Sequence, residues 1–320
     1  MTSFSISKAD RRRQPEGMCL IEGGDFLMGS EDFYPEEVPV RRARAGKFWI
    51  DEHPVTNREF SRFVDATGYK TFAEIPPDPR DYPDMPAEMA HAGSAVFTPP
   101  PGPVPLNNPG LWWRFVFGAD WRHPLGPGSG IDAVLDHPVV QIAYEDAAAY
   151  AKWARKELPT EAEWEFAARG GLDAKPFAWG DELAPGGQVL AKYWQGEFPW
   201  QNLNPEGLDR TAPVKSFPAN GFGLYDMIGN VWEWTIDWYS TDTTEPGRAC
   251  CGPPRARLAR KAESLDPHNS KKSVGRRVVK GGSHLCAPNY CQRYRPAARY
   301  PQPVDSPTSH IGFRCILRVE

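Results

Sequence analysis

The chain contains 29 glycines and 34 prolines, about a fifth of its 320 residues. Ordinary usage of the two together is nearer ~12%. Glycine leaves the backbone unconstrained, and proline removes a donor and blocks the preceding turn. A chain so interrupted forms short elements joined by many turns, with little regular structure. Such a fold has fewer ladder hydrogen bonds, so large side chains must supply more of the burial. The 12 tryptophans suit that need, because each aromatic plate removes a large area from water.

Other properties narrow the function classes. A net charge of -4 argues against a nucleic-acid binder, which is usually clearly basic. No run approaches the roughly 18 apolar residues of a membrane span. The N-terminal MTSFSISKADRRRQPEGM has charge but no apolar segment after it, so no secretory signal is expected. The six cysteines (Cys19, Cys250, Cys251, Cys286, Cys291 and Cys315) are too few and too unevenly spaced for a disulfide scaffold. A cytoplasmic monomer is expected, and cysteines kept in a reducing compartment are more often metal-binding or reactive. Composition is uniform and no hinge is visible. We expect a disordered tail over 1–16 and one large α+β domain over 17–320.

Within that domain, Met18–Glu22 and Asp25–Gly29 flank a glycine pair and read as a hairpin. Lys47–Asp51 is a further strand. Thr56 and Glu59 form a capping box for a helix ending near Gly68, with Phe60, Phe63 and Val64 on its apolar face. Residues 73–110 read as proline-rich and irregular. Helices are predicted over Tyr144–Lys156 and from a second capping box at Thr160 and Glu163 through Arg169. Strands are predicted at Val231–Asp237, Arg277–Gly281 and Gly312–Arg318. The polar stretch 241–277 reads as a long mobile surface loop.

Two constellations carry possible chemistry. In Cys286-Ala287-Pro288-Asn289-Tyr290-Cys291 the two thiols can converge on one centre. A thiolate pair suits Cu(I), whereas zinc wants four ligands and nothing nearby completes such a set. The pair by itself also reads as two buried cysteines or an ordinary disulfide. Arg293, Arg295 and Arg299 follow, and arginines near a thiol favour the thiolate. In the second constellation, Asp226 and Glu233 flank a glycine turn, where backbone carbonyls could help hold a hard cation. A capped turn is the plainer reading. Trp112, Trp113, Trp121, Trp232, Trp234 and Trp238 read mainly as packing. Cys250-Cys251 could be redox-active but is not expected to be catalytic.

Several strings together resemble the formylglycine-generating enzyme (sulfatase-modifying factor) family. They include Gly24-Asp25-Phe26-Leu27-Met28-Gly29, Leu158-Pro159-Thr160-Glu161-Ala162-Glu163-Trp164-Glu165 and Trp194-Gln195-Gly196-Glu197-Phe198-Pro199. Gly229-Asn230-Val231-Trp232-Glu233-Trp234, Lys280-Gly281-Gly282-Ser283 and Gly312-Phe313-Arg314-Cys315 complete the set. The likeness runs from about residue 17 to the C-terminus. Most of these strings mark a broad superfamily. The Cys-x4-Cys after GGS marks its oxidases, and an inactive paralogue type lacks it.

The resemblance implies a C-type-lectin-like sulfatase-modifying-factor fold of the α+β class. It implies oxidation of a cysteine in a C-x-P-x-R-type segment of an unfolded sulfatase to formylglycine. Cu(I) between Cys286 and Cys291 and O2 as co-substrate belong to that reading. Ser283 and Trp232 would lie near the O2 position, Tyr290 would border the site, and Arg299 would support the peptide groove. The resemblance also implies structural Ca2+ on Asp226, Glu233 and the carbonyls of Gly229 and Val231. A second calcium site would use Glu206 and the Leu208 carbonyl. Here Lys192 stands where the family commonly has asparagine, and an ammonium cannot coordinate a cation. One calcium is therefore expected, with Lys192 in place of the other. Alternative readings are a non-catalytic sulfatase- or peptide-binding paralogue and a non-haem-iron sulfoxide synthase. The latter normally needs a histidine-rich helical domain for which this chain has no room.

Overall fold

The computed structural model describes residues 14–319 apart from 81, 83, 84, 206, 242–258 and 268–273. Most of the expected tail, the Cys250-Cys251 pair and Glu206 lie outside the described residues.

The chain opens with β1 (Met18–Ile21), β2 (Gly24–Met28), β3 (Arg41–Ala45) and β4 (Phe48–Asp51). The hairpin expected around the glycine pair does not form. Instead β1 pairs antiparallel with β4, and β2 with β3. Gly23 has φ 78°, and a Cβ there would lie 2.3 Å from the Gly46 carbonyl oxygen. The glycines let two paired strands bend together at a corner, and the chain reverses later, between β2 and β3.

Three α-helices follow among the described residues, short as the composition requires. In α1 (Asn57–Thr67), Thr56 Oγ1 accepts from the Glu59 amide and Glu59 accepts from the Thr56 amide, closing the predicted box. α2 (Tyr144–Trp153) stops three residues before the expected end. Arg155 adopts φ 57°, and Lys156 is drawn to Asp51 at 2.5 Å. α3 (Glu161–Arg169) runs between the predicted Thr160 cap and Gly170 at φ 58°.

The region expected to be irregular contains β5 (Gly93–Phe97), which pairs antiparallel with β6 (Trp113–Phe117) just beyond it. β7 (Trp232–Trp238), β8 (Arg276–Lys280), β9 (Arg299–Pro303) and β10 (Ile311–Gly312) form a four-stranded sheet in the order β10-β7-β8-β9. The single last strand expected over 312–318 is divided: β11 (Ile316–Arg318) joins β4 instead. Between the two, Arg314 turns into the core toward Glu233, which breaks the alternation of a continuous strand. β1 and β11 flank β4 on either side, so the two ends of the chain share one sheet and the fold is a single α+β domain. No helix among the described residues is long and apolar enough to cross a membrane. Within 241–277, residues 259–267 pack on β8: the Arg276 guanidinium donates to the carbonyls of Ser264 (2.8 Å) and Leu265 (2.9 Å).

Aromatics fill the core. Trp112, Trp121, Trp164, Trp194 and Trp234 are all buried. So, less usually, is a set of charges. α3 presents Glu161 and Glu165 to the four-stranded sheet. Arg299 donates to Glu161 at 2.7 and 3.0 Å, and Lys280 to Glu165 at 2.8 Å. Burial raises the Glu161 carboxyl, but Arg299 and Lys280 outweigh it and hold it at about 2.

Candidate active site

The cysteine loop leaves the end of β8 through Gly281 and Gly282. Gly282 has φ 71°, and a Cβ on it would lie 2.5 Å from the Arg293 carbonyl oxygen. That close approach lets residues 293–294 fold back against the start of the loop. The Ala287 carbonyl then accepts from the amides of both Tyr290 (3.1 Å) and Cys291 (2.9 Å). This single turn brings Cys291 back over Cys286, with the sulfurs 3.5 Å apart. A disulfide requires about 2.05 Å, and both thiols are free. Convergence is therefore observed, and the disulfide alternative is absent from this structure.

The two sulfurs differ in surroundings. Cys286 is buried at 2% exposure, and burial pushes its thiol well up. Its sulfur accepts from the Ser283 amide at 3.4 Å. Cys291 is pulled down to about 6, chiefly by its bond with Cys286 and then by Arg293 against the opposing effect of burial. Arg293 Nη1 donates to Cys291 Sγ at 3.6 Å, and its Nε donates to Glu36 at 3.0 Å. The guanidinium lies over the Tyr34 ring, 3.7 Å from its centroid. A thiolate at Cys291 beside a thiol at Cys286 is the favoured state near neutrality. The donors are soft, close and unbridged, and a neighbouring cation offsets their charge. They fit Cu(I), which accepts two sulfurs.

Aromatic rings wall the site. Tyr290 stacks on Phe198 at 4.5 Å between centroids and meets Trp112 edge-on at 5.6 Å. Trp232 lies 6.1 Å from Tyr300. Tyr290 and Tyr300 are 38% and 43% exposed, so they form the mouth, whereas Trp232 (5%) is buried behind it. Ser283 is fully buried, and its Oγ accepts from the Leu285 amide at 3.2 Å. The resemblance implies that Arg299 supports the peptide groove. It is buried, and its nitrogens donate to Glu161, to the Glu36 carbonyl and to the Ser240 carbonyl. With those donors engaged it braces the wall from within.

The Asp226–Glu233 turn is more occupied than its sequence suggests. Glu233 is fully buried. Its Oε2 accepts from Arg314 Nε and Trp164 Nε1, both at 2.7 Å, and its Oε1 accepts from Arg314 Nη2 at 2.8 Å. Oε2 is thus saturated, while Oε1 keeps one lone pair. Asp226 adopts φ 54°. Burial is the main cause raising its carboxyl, and nearby Glu233 adds to it. A cation between the two would relieve that excess, and the donors are the hard oxygens calcium takes. Gly229, with φ 76°, packs its Cα against the Lys192 carbonyl, and Val231 is buried. The fit is therefore one oxygen from Glu233, with Asp226 and backbone carbonyls supplying the rest. Among the described residues, no group of three or more His, Cys, Asp or Glu side chains could hold a metal by itself. At the second position the Lys192 ammonium, 2% exposed, donates to the Leu208 carbonyl. Burial lowers it to about 8.

Sequence reasoning missed Tyr34, Glu36 and Phe198. Glu36 and Glu37 lie 257 and 258 residues from Arg293 and Arg295 in the chain and meet them only through the fold. A Tyr-Pro-Glu-Glu string facing an Arg-x-Arg string was the available signal.

The chain matches the family of the sulfatase-modifying factor enzyme 1-like domain over residues 3–319. It is 52% identical over 298 residues to the formylglycine-generating enzyme of Mycobacterium tuberculosis, covering 92% of this chain and 96% of that protein. It is 44% identical over 319 residues to the enzyme of that name from Thermomonospora curvata, covering 98% and 97%. Among solved structures, PvdO from Pseudomonas aeruginosa superposes with a TM-score of 0.59 at 24% identity over 94% of each chain. That likeness is one of fold.

Proposed function

This chain belongs to the sulfatase-modifying factor enzyme family, and we propose that it activates sulfatases by oxidising a cysteine of a C-x-P-x-R-type segment to formylglycine. The observation that carries the reading is the unbridged thiol pair 3.5 Å apart. Cys286 and Cys291 would hold Cu(I), which supplies the chemistry of O2 when bound. The protein positions, shields and balances charge. Arg293 neutralises the Cys291 thiolate and is itself fixed by Glu36 and Tyr34. The Ser283 amide orients Cys286. Tyr290 and Tyr300 form an exposed lip against which an extended peptide can lie, and buried Trp232 keeps water from the inner side. The substrate Cβ gives up hydrogen to the oxidant, water adds to the resulting thioaldehyde, and the sulfur leaves as sulfide.

Asp226, Glu233 and the carbonyls of Gly229 and Val231 would hold one structural calcium. Lys192 takes the place of a second on the Leu208 carbonyl. Cytoplasmic action on an unfolded sulfatase fits the free thiols at Cys19, Cys286, Cys291 and Cys315.

The test is reconstitution with Cu(I) under air and a C-x-P-x-R peptide, followed by peptide mass. Aldehyde is expected from the native chain and none from Cys286→Ala. Full turnover by the alanine variant would remove the thiol pair from the mechanism.

A further inference from the structure

The two site thiols are not equally open. Cys286 is buried, with 2% of its surface exposed, whereas Cys291 is half-buried. The Cys286 sulfur has the Ser283 amide at 3.4 Å and the Cys291 sulfur at 3.5 Å. Ser283 is itself fully buried, so that neighbour gives no second way in. A group arriving from water meets the Cys291 sulfur first.

Opening the loop would be another route, and hydrogen bonds at both of its ends oppose it. The Cys286 carbonyl accepts from the Trp194 amide at 2.9 Å, and the Cys286 amide donates to the Ser283 carbonyl at 3.0 Å. Just beyond Cys291, the Gln292 amide donates to the Tyr34 hydroxyl at 2.9 Å. Arg295 Nε donates to the Gln292 carbonyl at 2.7 Å. Charge favours the same entrance. A cuprous ion between two thiolates is an anion, and the Arg293 guanidinium reaches Cys291 Sγ at 3.6 Å.

Resting on the reading that this pair holds Cu(I), we propose that Cys291 is the entry ligand and that the metal arrives as an anionic cuprous complex of a small thiol. Cys291 displaces one thiol of the carrier, and Cys286 then displaces the other. In each exchange one sulfur–copper bond to the protein forms and one to the carrier breaks. The proton of the protein thiol leaves on the departing small thiol. Copper stays in the cuprous state throughout, so no oxidant or reductant enters, and the metal keeps the soft ligands it prefers.

Native mass spectrometry of the full chain, mixed with Cu(I) and glutathione without air, tests this apart from turnover. Cys19, Cys250 and Cys251 are first changed to serine, so that thiols outside the pair do not compete. This parent should end with one copper and no glutathione. Cys286→Ser should stall with one copper and one glutathione, formed at a rate close to the parent's. Cys291→Ser should take up copper about tenfold more slowly or worse, because a buried thiol is poorly reactive. Capping Cys291 with iodoacetamide on the folded parent should block uptake equally, and this arm needs no substitution in the pair. Equal uptake by the two serine variants, faster uptake by Cys291→Ser, uptake by the capped parent, or a Cys286→Ser chain without the glutathione adduct would each overturn the proposal. A parent that binds no copper at all would overturn the copper reading itself and the proposal with it.

Discussion

Replacing Arg314 by methionine gives a direct measure of how this fold is held together. Arg314 is fully buried and makes five hydrogen bonds: two to Glu233, and one each to the carbonyls of Asp51, Tyr225 and Asp226. Methionine fills most of the volume but removes every donor. Glu233 then keeps, among the described residues, the Trp164 Nε1 donor, next to a second buried carboxylate at Asp226. Breaking a buried pair by removing one partner costs about 3–5 kcal/mol. At an m-value of about 3 kcal/mol/M in urea, the midpoint should fall by roughly 1–1.7 M. Adding Glu233→Gln should recover part of that loss, because no unpaired charge remains. The two changes should deviate from additivity by about 1.5–3 kcal/mol. The assay is equilibrium urea denaturation by tryptophan fluorescence on all four proteins of the cycle. A single-variant loss below about 1 kcal/mol, or strict additivity, would show that the pair is not the buried bridge described.

In the metal-free protein, iodoacetamide should label Cys291 before Cys286, with a rate rising through about pH 6; mass mapping of the alkylated peptides reads this out. Because the folded Cys291 value is depressed, its contribution to stability is present above the unfolded value near 8.5 and is lost as pH falls toward 6. Urea midpoints across that window should show the trend, set against Cys291→Ala. Lys192→Asn should raise the bound calcium by one per chain in metal analysis, since the ammonium on the Leu208 carbonyl is gone. An unchanged count would mean that the lysine is not what keeps the cation out. Gly282→Ala should cost about 2–4 kcal/mol, combining a positive φ with a backbone clash.

What could be read from the chain was local. Both capping boxes place α1 and α3 to the residue, because the box is a four-residue chemistry that tertiary contacts did not override. The convergence of Cys286 and Cys291 also follows from one turn. Misreadings came where distant chain decided the outcome. The glycine pair at 23–24 marks a corner because Gly46 crosses it, a contact that pattern alone does not encode. The β5–β6 hairpin was hidden by the prolines that flank its strands. Arg299, placed at the groove by the family resemblance, is held by Glu161, 138 residues away, a partner that pattern alone does not name. Cys286, Cys291 and Tyr290 were legible as site residues, whereas the residues that fix Arg293 were not.

The buried charges follow from the same composition that shortened the elements. A chain broken by glycine and proline cannot fix its long connections with extended ladders, so it needs other directional contacts. Arg295 on Glu37 and Arg293 on Glu36 tie the segment before β3 to the loop after the second cysteine. Lys280 and Arg299 tie β8 and β9 to α3. Such pairs add little net stability, because desolvation offsets their attraction. Their geometry is nonetheless restrictive, since a guanidinium pairs with a carboxylate in few orientations. Specifying the position of the cysteine loop is therefore the better account of their role. The distance between two sulfurs only six positions apart in the loop, counted inclusively, is then held by acids near the other end of the chain.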